Sequence, residues 1–306
     1  MNNLVEIILK NYNNSYILVE EENFNFSNRV YRSYYNLKDG KIHIKIISNQ
    51  NFKNIYNYFL LQYKILFFNN GYFYEIEEYK EDNKIINIKE KYCDLDIYIS
   101  NNKYIKNYRI LKLKDILNPK SIKKFKEIEE KNSLLFNAFY YLHSEKYKDI
   151  LCDHRFIILS QVAEGYIENS KHNLKLKEKS FLQRILIYIK IFRKYDKLSK
   201  SNVLEILNEN PKKLARKIKN SRNMYSHYIR KSEILKEDEY IYAFSILELG
   251  FRLLIIEDIG CVIKINEEIE ENFCSIHDWI LSNKYTNLDI NKYKSNAYKI
   301  ALINKK

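Results

Sequence analysis

Glycine and proline are scarce in this chain, which has 5 Gly and 2 Pro among its 306 residues. Collagens, flexible linkers and all-β barrels with many short strands need far more of both, because left-handed turns and chain breakers recur throughout them. The scarcity therefore excludes these classes and favours helices. Hydrophobic residues at 46% and charged residues at 30% are typical of a folded chain, and this length gives room for two domains of ordinary size.

Cysteine is rare as well, with 4 residues that stand far apart and form no CxxC pair. Such spacing predicts neither a disulfide framework nor a zinc site. The sequence also lacks a Walker loop, a Gly-x-Ser-x-Gly elbow and an HExxH motif, so we expect no metal and no cofactor. The start of the chain has no signal-peptide pattern, and no apolar run approaches the ~20 residues of a membrane span. We therefore expect a cytoplasmic protein without membrane contact.

Acidic residues are outnumbered by basic ones, 39 to 52, which gives a net charge of +13. Most of this surplus lies in residues 181–231, with 14 Lys and Arg against 3 Asp and Glu. A concentrated positive charge indicates a polyanionic partner such as a nucleic acid. The alternative is a lysine-rich face that contacts only solvent, because many charge runs have no other role.

The first part of the chain mixes two periodicities. Short β-branched and aromatic runs, one of which alternates isoleucine with polar residues, predict strands at 15–20, 41–48 and 71–82. Between them, apolar residues at three and four spacing predict an amphipathic helix over 52–68. We therefore predict a small mixed α/β domain at residues 1–115, with a sensing, regulatory or substrate-guiding role.

From about residue 112 the pattern is helical. Asn118-Pro119, Asn210-Pro211 and Gly260 interrupt it, and Asn210 is the expected N-cap of the helix that Pro211 begins. The predicted helices are 121–131, 133–145, 153–170, 177–196, 201–208, 211–230, 236–258 and 266–281. We predict an all-α domain at residues 116–306, and hence an α+β chain with a polar tail at 282–306.

One segment of the basic region carries residues suited to chemistry. Arg222 and His227 are separated by four residues on or beside a predicted helix. An arginine offers a fixed fork of donors to phosphate oxygens, and a histidine can transfer a proton near neutral pH. Together they suffice for metal-free RNA cleavage, in which the 2′-hydroxyl attacks the adjacent phosphate and the protein needs no nucleophile of its own.

The spacing of this pair predicts a partner copy. Five residues on an ideal helix correspond to a rotation of about 140°, so Arg222 and His227 do not share one face, whereas Asn223 and His227 do. Asn223 is therefore the candidate that orients the imidazole. Two copies facing each other across a two-fold axis would bring two arginines and two histidines to one phosphate, and we expect a homodimer through the helical domain.

Three stretches resemble the HEPN (higher eukaryotes and prokaryotes nucleotide-binding) family. Arg222-Asn-Met-Tyr-Ser-His-Tyr228 is similar to the RN-x-Y-[ST]-H-Y ribonuclease motif in the form found in ApeA-like antiphage proteins. Residues 155–166 resemble the first core helix of the family, with Gln161, Glu164 and Tyr166 in its Gln-x-x-Glu-x-Tyr pattern. Residues 247–260 are similar to its last core helix.

The resemblance implies an all-helical HEPN domain that dimerises and cuts RNA without metal. It implies tRNA as the substrate class, products with 2′,3′-cyclic phosphate and 5′-hydroxyl ends, and a role as a toxin or abortive-infection effector against phage. A regulator from the phage, or an antitoxin, is an expected partner of such an effector.

The candidate site follows from the motif and its surroundings. Arg222 and His227 are the predicted catalytic residues, Asn223 orients, and Glu164 is either a neighbour of the site or a surface acid. Predicted RNA contacts outside the cleavage point are Arg216, Lys217, Lys219, Tyr228, Arg230 and Lys231. Two other functions stay open, a non-catalytic HEPN module that binds RNA or nucleotides and a helical interaction scaffold.

Overall fold

The computed structural model describes residues 2–10, 22–38, 40–72, 74–92, 108–144, 152–227 and 233–284. An antiparallel sheet comes first, and a mainly helical region follows it. The α+β fold class predicted from the sequence is therefore confirmed. The predicted strand at 15–20 lies outside the described residues, as does the part of the polar tail after residue 284.

Six described strands form one antiparallel sheet in the order β2-β3-β4-β1-β5-β6. Alternate residues of β1, β3 and β4 are buried, so one face of the sheet covers the core and the other meets solvent. The strands are β1 (Asn3–Lys10), β2 (Glu22–Ser27), β3 (Tyr31–Lys38), β4 (Lys41–Ser48), β5 (Glu75–Glu81) and β6 (Lys84–Ile85).

The helix predicted over 52–68 is α1 (Phe52–Asn70), which packs on the buried face of the sheet. Asn51 caps its start by accepting a hydrogen bond from the N–H of Asn54. Gly71 ends it with a φ of 75°, a left-handed conformation that glycine adopts without strain. The strand predicted at 71–82 consequently begins only at Glu75, because Gly71 completes the helix.

Ten further described helices follow the strands along the chain. Six of them have 17 to 24 residues and form the helical region, and four have only four or five residues. The ten are α2 (Ile88–Tyr92), α3 (Leu113–Ile116), α4 (Pro119–Leu142), α5 (Cys152–Asn169), α6 (Lys171–Leu174), α7 (Phe181–Leu198), α8 (Val203–Ile206), α9 (Pro211–His227), α10 (Glu237–Asp258) and α11 (Glu267–Lys284).

Two predicted helix boundaries need correction. The segments 121–131 and 133–145 are one helix, α4, with a kink at Asn132, where φ is −125° and the side-chain amide donates to the carbonyl of Ile128. The helix predicted at 177–196 begins at Phe181, because Ser180 caps it through the N–H of Gln183.

The predicted helix ends at Asn210 and Gly260 are confirmed. The side-chain oxygen of Asn210 accepts from the N–H of Lys213 at 2.9 Å, which caps the start of α9. Gly260 has a φ of 87°, and the N–H of Cys261 donates to the carbonyl of Ile256 at 3.1 Å. This bond closes the end of α10 in the way a left-handed residue permits.

Helices α7 and α10 approach closely at Gly250. A Cβ at this position would lie 2.8 Å from the backbone carbonyl oxygen of Tyr188. Only a residue without a side chain allows this packing, so Gly250 sets how near α7 comes to the centre of the bundle.

The sheet-bearing part and the bundle share one hydrophobic core. The fully buried Arg252 of α10 joins them, because it donates to the backbone carbonyls of Phe68, Asn69 and Tyr108. Phe68 and Asn69 lie in the last turn of α1, and Tyr108 precedes α3. The domain boundary at residue 115 stays a prediction.

Candidate functional site

The predicted site lies where α5, α7 and α9 pack against one another. Helix α9 buries one face through Leu214, Ala215, Ile218 and Ser221, and the buried Ser221 hydroxyl accepts from the N–H of Leu235. This face fixes the rotation of α9 about its axis. Arg222 follows Ser221 and therefore projects from the edge of the buried face toward α5 and α7.

Three neighbours hold the guanidinium of Arg222, which is 21% exposed. Nη2 donates to Oε2 of Glu164 at 3.3 Å, and Nη1 donates to Oδ1 of Asn223 at 3.2 Å. The guanidinium carbon lies 5.1 Å from the ring centroid of Phe181, within the range of a cation–π contact. A carboxylate, an amide and an aromatic ring together restrict where this cation can be.

Glu164 joins Arg222 to a second arginine. Its other oxygen, Oε1, accepts from Nη1 of Arg184 at 3.3 Å, and Nη2 of Arg184 donates to Glu168 at 3.1 Å. The side chain of Arg184 is 8% exposed, against 22% for Glu164 and 56% for Glu168. Four side chains of alternating charge are therefore connected from the motif to the surface, in the order Arg222, Glu164, Arg184 and Glu168.

The predicted catalytic histidine ends helix α9. His227 is the last described residue of that helix, and the described structure of the chain resumes at Glu233. Glu233 is attached to α9, because the side-chain amide of Asn220 donates to the backbone carbonyl of Glu233. Tyr228, Arg230 and Lys231 lie outside the described residues. Asn223, predicted to orient the imidazole, accepts a hydrogen bond from Arg222.

The other predicted RNA contacts differ in their placement. Arg216 is exposed and lies 3.7 Å from a carboxylate oxygen of Glu233, and Lys219 is half-buried. Lys217 is only 14% exposed, and its ammonium group pairs with two carboxylates, Glu209 and Glu239. We therefore exclude Lys217 from the proposed RNA contacts, because its ammonium group is engaged within the fold.

The net positive charge around residues 181–231 is smaller in the folded protein than a count along this segment suggests. Acids from other parts of the chain pair with several of its cations: Glu164 with Arg222 and Arg184, Glu239 with Lys217, and Glu257 with Lys194. Counting charge along the segment omits these partners. The exposed cations of its two long helices are Lys190, Arg193, Lys194, Lys197, Lys212, Lys213 and Arg216.

No group of three or more His, Cys, Asp or Glu side chains suited to hold a metal occurs among the described residues. Within the same part of the chain, none of the helices combines the length and the apolar character required to span a membrane.

A second carboxylate, that of Asp258, lies on another side of α5. Asp258, at the end of α10, accepts from the Tyr166 hydroxyl at 2.7 Å, from Nε2 of His172 at 2.9 Å and from the Lys171 ammonium at 3.1 Å. Burial alone would raise the pKa of Asp258, but these three donors together hold the pKa of its carboxyl below the usual range. Burial and the adjacent Asp258 carboxylate raise the pKa of Tyr166 well above its ordinary value.

Arg184, Phe181 and Glu168 were not predicted from the sequence. A signal for Arg184 existed, because it lies on the apolar face of α7 together with Phe181 and Tyr188. An arginine on a buried face requires an anionic or polar partner. Glu164 and Glu168, four residues apart on α5, supply it, but nothing in the sequence showed that α5 and α7 are neighbours.

The comparison with protein families now identifies the chain. The family model described as Apea-like HEPN matches residues 73–261, more than half of the sequence. The chain therefore belongs to the Apea-like HEPN family, as the motif at 222–228 predicted. No match was found among curated proteins or among solved structures. HEPN domains are generally ribonucleases, so membership supports a module that cuts or binds RNA, and the family often dimerises.

Proposed function

We propose that this protein is a metal-independent endoribonuclease that cuts tRNA in abortive defence against phage. The observation that carries the proposal is the placement of Arg222, the motif arginine of a HEPN family member, in a partly exposed position with three neighbours restraining it. A phosphate needs such a cation, ordered before binding and open to solvent.

Arg222 has N–H groups left to bind a phosphate while its contacts to Glu164 and Asn223 persist. A guanidinium has five N–H groups. In the described part of the chain, Glu164 and Asn223 engage one N–H on each terminal nitrogen, and the buried Nε has no acceptor. One N–H on each terminal nitrogen is left for two oxygens of a phosphate, the fork geometry that makes arginine a strong phosphate ligand.

The proposed reaction uses atoms of the RNA and a proton carrier. The 2′-oxygen loses its proton and bonds to the phosphorus, the bond from phosphorus to the 5′-oxygen breaks, and that oxygen takes up a proton. His227 carries protons at these oxygens, and Arg222 stabilises the charge of the pentavalent intermediate. The products have 2′,3′-cyclic phosphate and 5′-hydroxyl ends. Arg216, Lys219 and the exposed Lys212 and Lys213 of α9 contact neighbouring phosphates.

The first test is cleavage of tRNA by the purified protein in the presence of EDTA, with both ends of the products mapped. We expect cyclic phosphate ends, and we expect Arg222→Ala and His227→Ala to abolish cleavage while binding to a 2′-deoxy analogue persists. Arg216→Ala is the matched control on the same helix and raises KM with kcat unchanged. Wild-type protein that binds RNA and never cuts it would contradict the nuclease and favour the non-catalytic RNA-binding module.

The proposed homodimer has its own test. If two copies build one composite site, a mixture of Arg222→Ala and His227→Ala chains contains heterodimers with one arginine and one histidine, and recovers part of the lost activity. Two complete sites that act independently give an inactive mixture. Light scattering during size-exclusion chromatography measures whether the protein is dimeric at all.

A further inference from the structure

A buried arginine that no motif includes stands behind the proposed catalytic arginine. Arg184 of α7 reaches two carboxylates of α5, Glu164 and Glu168, which are four residues apart and so lie one above the other on the helix. The planar fork of a guanidinium spans such a pair and fixes both ends of the contact at once. Arg184 thereby fixes the side chain of Glu164 along the axis of α5.

Glu164 divides its two oxygens between two cations. Oε1 accepts from Arg184 and Oε2 accepts from Arg222. Because one oxygen is held from the buried side, the other is directed at the motif arginine. Without Arg184, the carboxylate of Glu164 would be free to rotate toward solvent or to pair with Arg222 in a different geometry.

The first turn of α7 contributes a second restraint on the same cation. Phe181 lies three residues before Arg184, and its ring faces the guanidinium of Arg222 at 5.1 Å. The ring limits movement of the guanidinium toward α7, whereas Glu164 holds Nη2 through a hydrogen bond. Both restraints depend on α7, which the close contact at Gly250 holds against α10.

We propose that Arg184, acting through Glu164, is a positioning residue for Arg222 in RNA cleavage. This inference rests on the proposed nuclease function and adds a residue to it. Arg184 itself is too buried to meet RNA, so its removal should affect the rate of the chemical step more than substrate binding. Misplacement of a catalytic group by about 1 Å can slow a reaction about 100-fold.

The test compares single and double variants with a fluorescent tRNA substrate. We expect Arg184→Gln to lower kcat by about 10- to 100-fold with KM nearly unchanged. Glu164→Gln should lower kcat similarly, and the double variant should be no slower than the slower single one, because both changes release the same guanidinium. The matched control is Lys194→Gln on α7, the helix of Arg184. It removes a cation that pairs with Glu257 of α10 and leaves kcat unchanged.

A purely structural role gives a different pattern. In that case the effects of the two variants multiply, KM and kcat change together, and the unfolding temperature falls in step with activity. If Arg184→Gln does not fold, Arg184→Lys keeps the positive charge, and Glu164→Gln, at a partly exposed side chain, provides the same readout. A partly restored kcat with unchanged KM in Arg184→Lys supports positioning, whereas KM and kcat that change together in this variant contradict it.

The outcomes separate this inference from the function beneath it. Wild-type protein that never cuts RNA overturns both. Wild-type protein that cuts while Arg184→Gln cuts with the same kcat overturns only the positioning role. A rise in kcat for Glu164→Gln would also overturn it, because Glu164 would then restrain Arg222 from binding phosphate instead of presenting it.

Discussion

Helix α5 contributes to the surroundings of two carboxylates, Asp258 and Glu164, that differ in hydrogen-bond length and in exposure to solvent. Tyr166 donates to Asp258 at 2.7 Å, and Asp258 is 7% exposed. Glu164, two residues earlier, accepts from its two arginines at 3.3 Å and is 22% exposed. Two residues on a helix correspond to about 200°, so the two side chains leave α5 on nearly opposite sides.

We interpret this difference as one between a carboxylate that stabilises the fold, Asp258, and a carboxylate that serves the proposed site, Glu164. The buried carboxylate of Asp258 receives hydrogen bonds from three donors, and its loss leaves the buried Tyr166 hydroxyl without this acceptor. The longer contacts of Glu164 lie beside solvent, where ion pairs contribute little to stability. The contact between Glu164 and Arg222 can therefore serve the proposed site without the stability of the bundle depending on it.

The largest effect on stability is expected for Asp258→Ala. It leaves the Tyr166 hydroxyl and the His172 ring without their acceptor, and should lower the free energy of unfolding by about 2–4 kcal/mol. Urea denaturation measures the change. Glu257→Ala is the matched control, because Glu257 precedes Asp258 on the same helix but is 30% exposed and should lose less than about 1 kcal/mol. Equal losses would contradict the distinction.

The second effect is a loss of stability in acid. The pKa of Asp258 is lowered in the folded protein, so its carboxylate contributes stability above the ordinary aspartate pKa, and this contribution disappears as the pH falls through the folded value. We expect the unfolding temperature of the wild type to fall below about pH 4 more steeply than that of Asp258→Asn. Parallel curves for the two proteins would show that Asp258 is not responsible.

Tyr166→Phe should have a smaller effect. The substitution keeps the buried ring and removes only the hydroxyl that donates to Asp258, so we expect a loss of about 1–2 kcal/mol in the free energy of unfolding. The same denaturation experiment measures it. Combination with Asp258→Ala should add nothing to the loss, since the two groups form one bond; an additive result would mean that the hydroxyl has another role.

The smallest change in stability is expected for Glu164→Gln. Its contacts are long and partly solvated, so the free energy of unfolding should change by less than about 1 kcal/mol. Thermal unfolding followed by circular dichroism is sufficient to measure this. A loss larger than that of Tyr166→Phe would place Glu164 among the structural carboxylates and remove the contrast between the two sides of α5.

Much of the fold was predictable because it depends on local patterns. The isoleucine alternation of Lys41–Ser48 predicted β4 with its observed ends, and Asn210 with Pro211 predicted the start of α9. The sequence did not show that α4 continues through residue 132 as one kinked helix. An asparagine at this position is compatible with either a helix end or a bend. Whether the helix ends or bends at Asn132 depends on the residues that pack against its two halves.

Sequence alone determined the class of the protein and the identity of the motif, because Arg222, Asn223 and His227 are close along the chain and their spacing is fixed by the helix. Tertiary structure decided what surrounds them. Glu164, Phe181 and Arg184 come from two other helices, and the charge of a basic segment was reduced by acids distant in sequence. Electrostatic contacts act across space over a few ångströms, whereas a sequence records only distance along the chain.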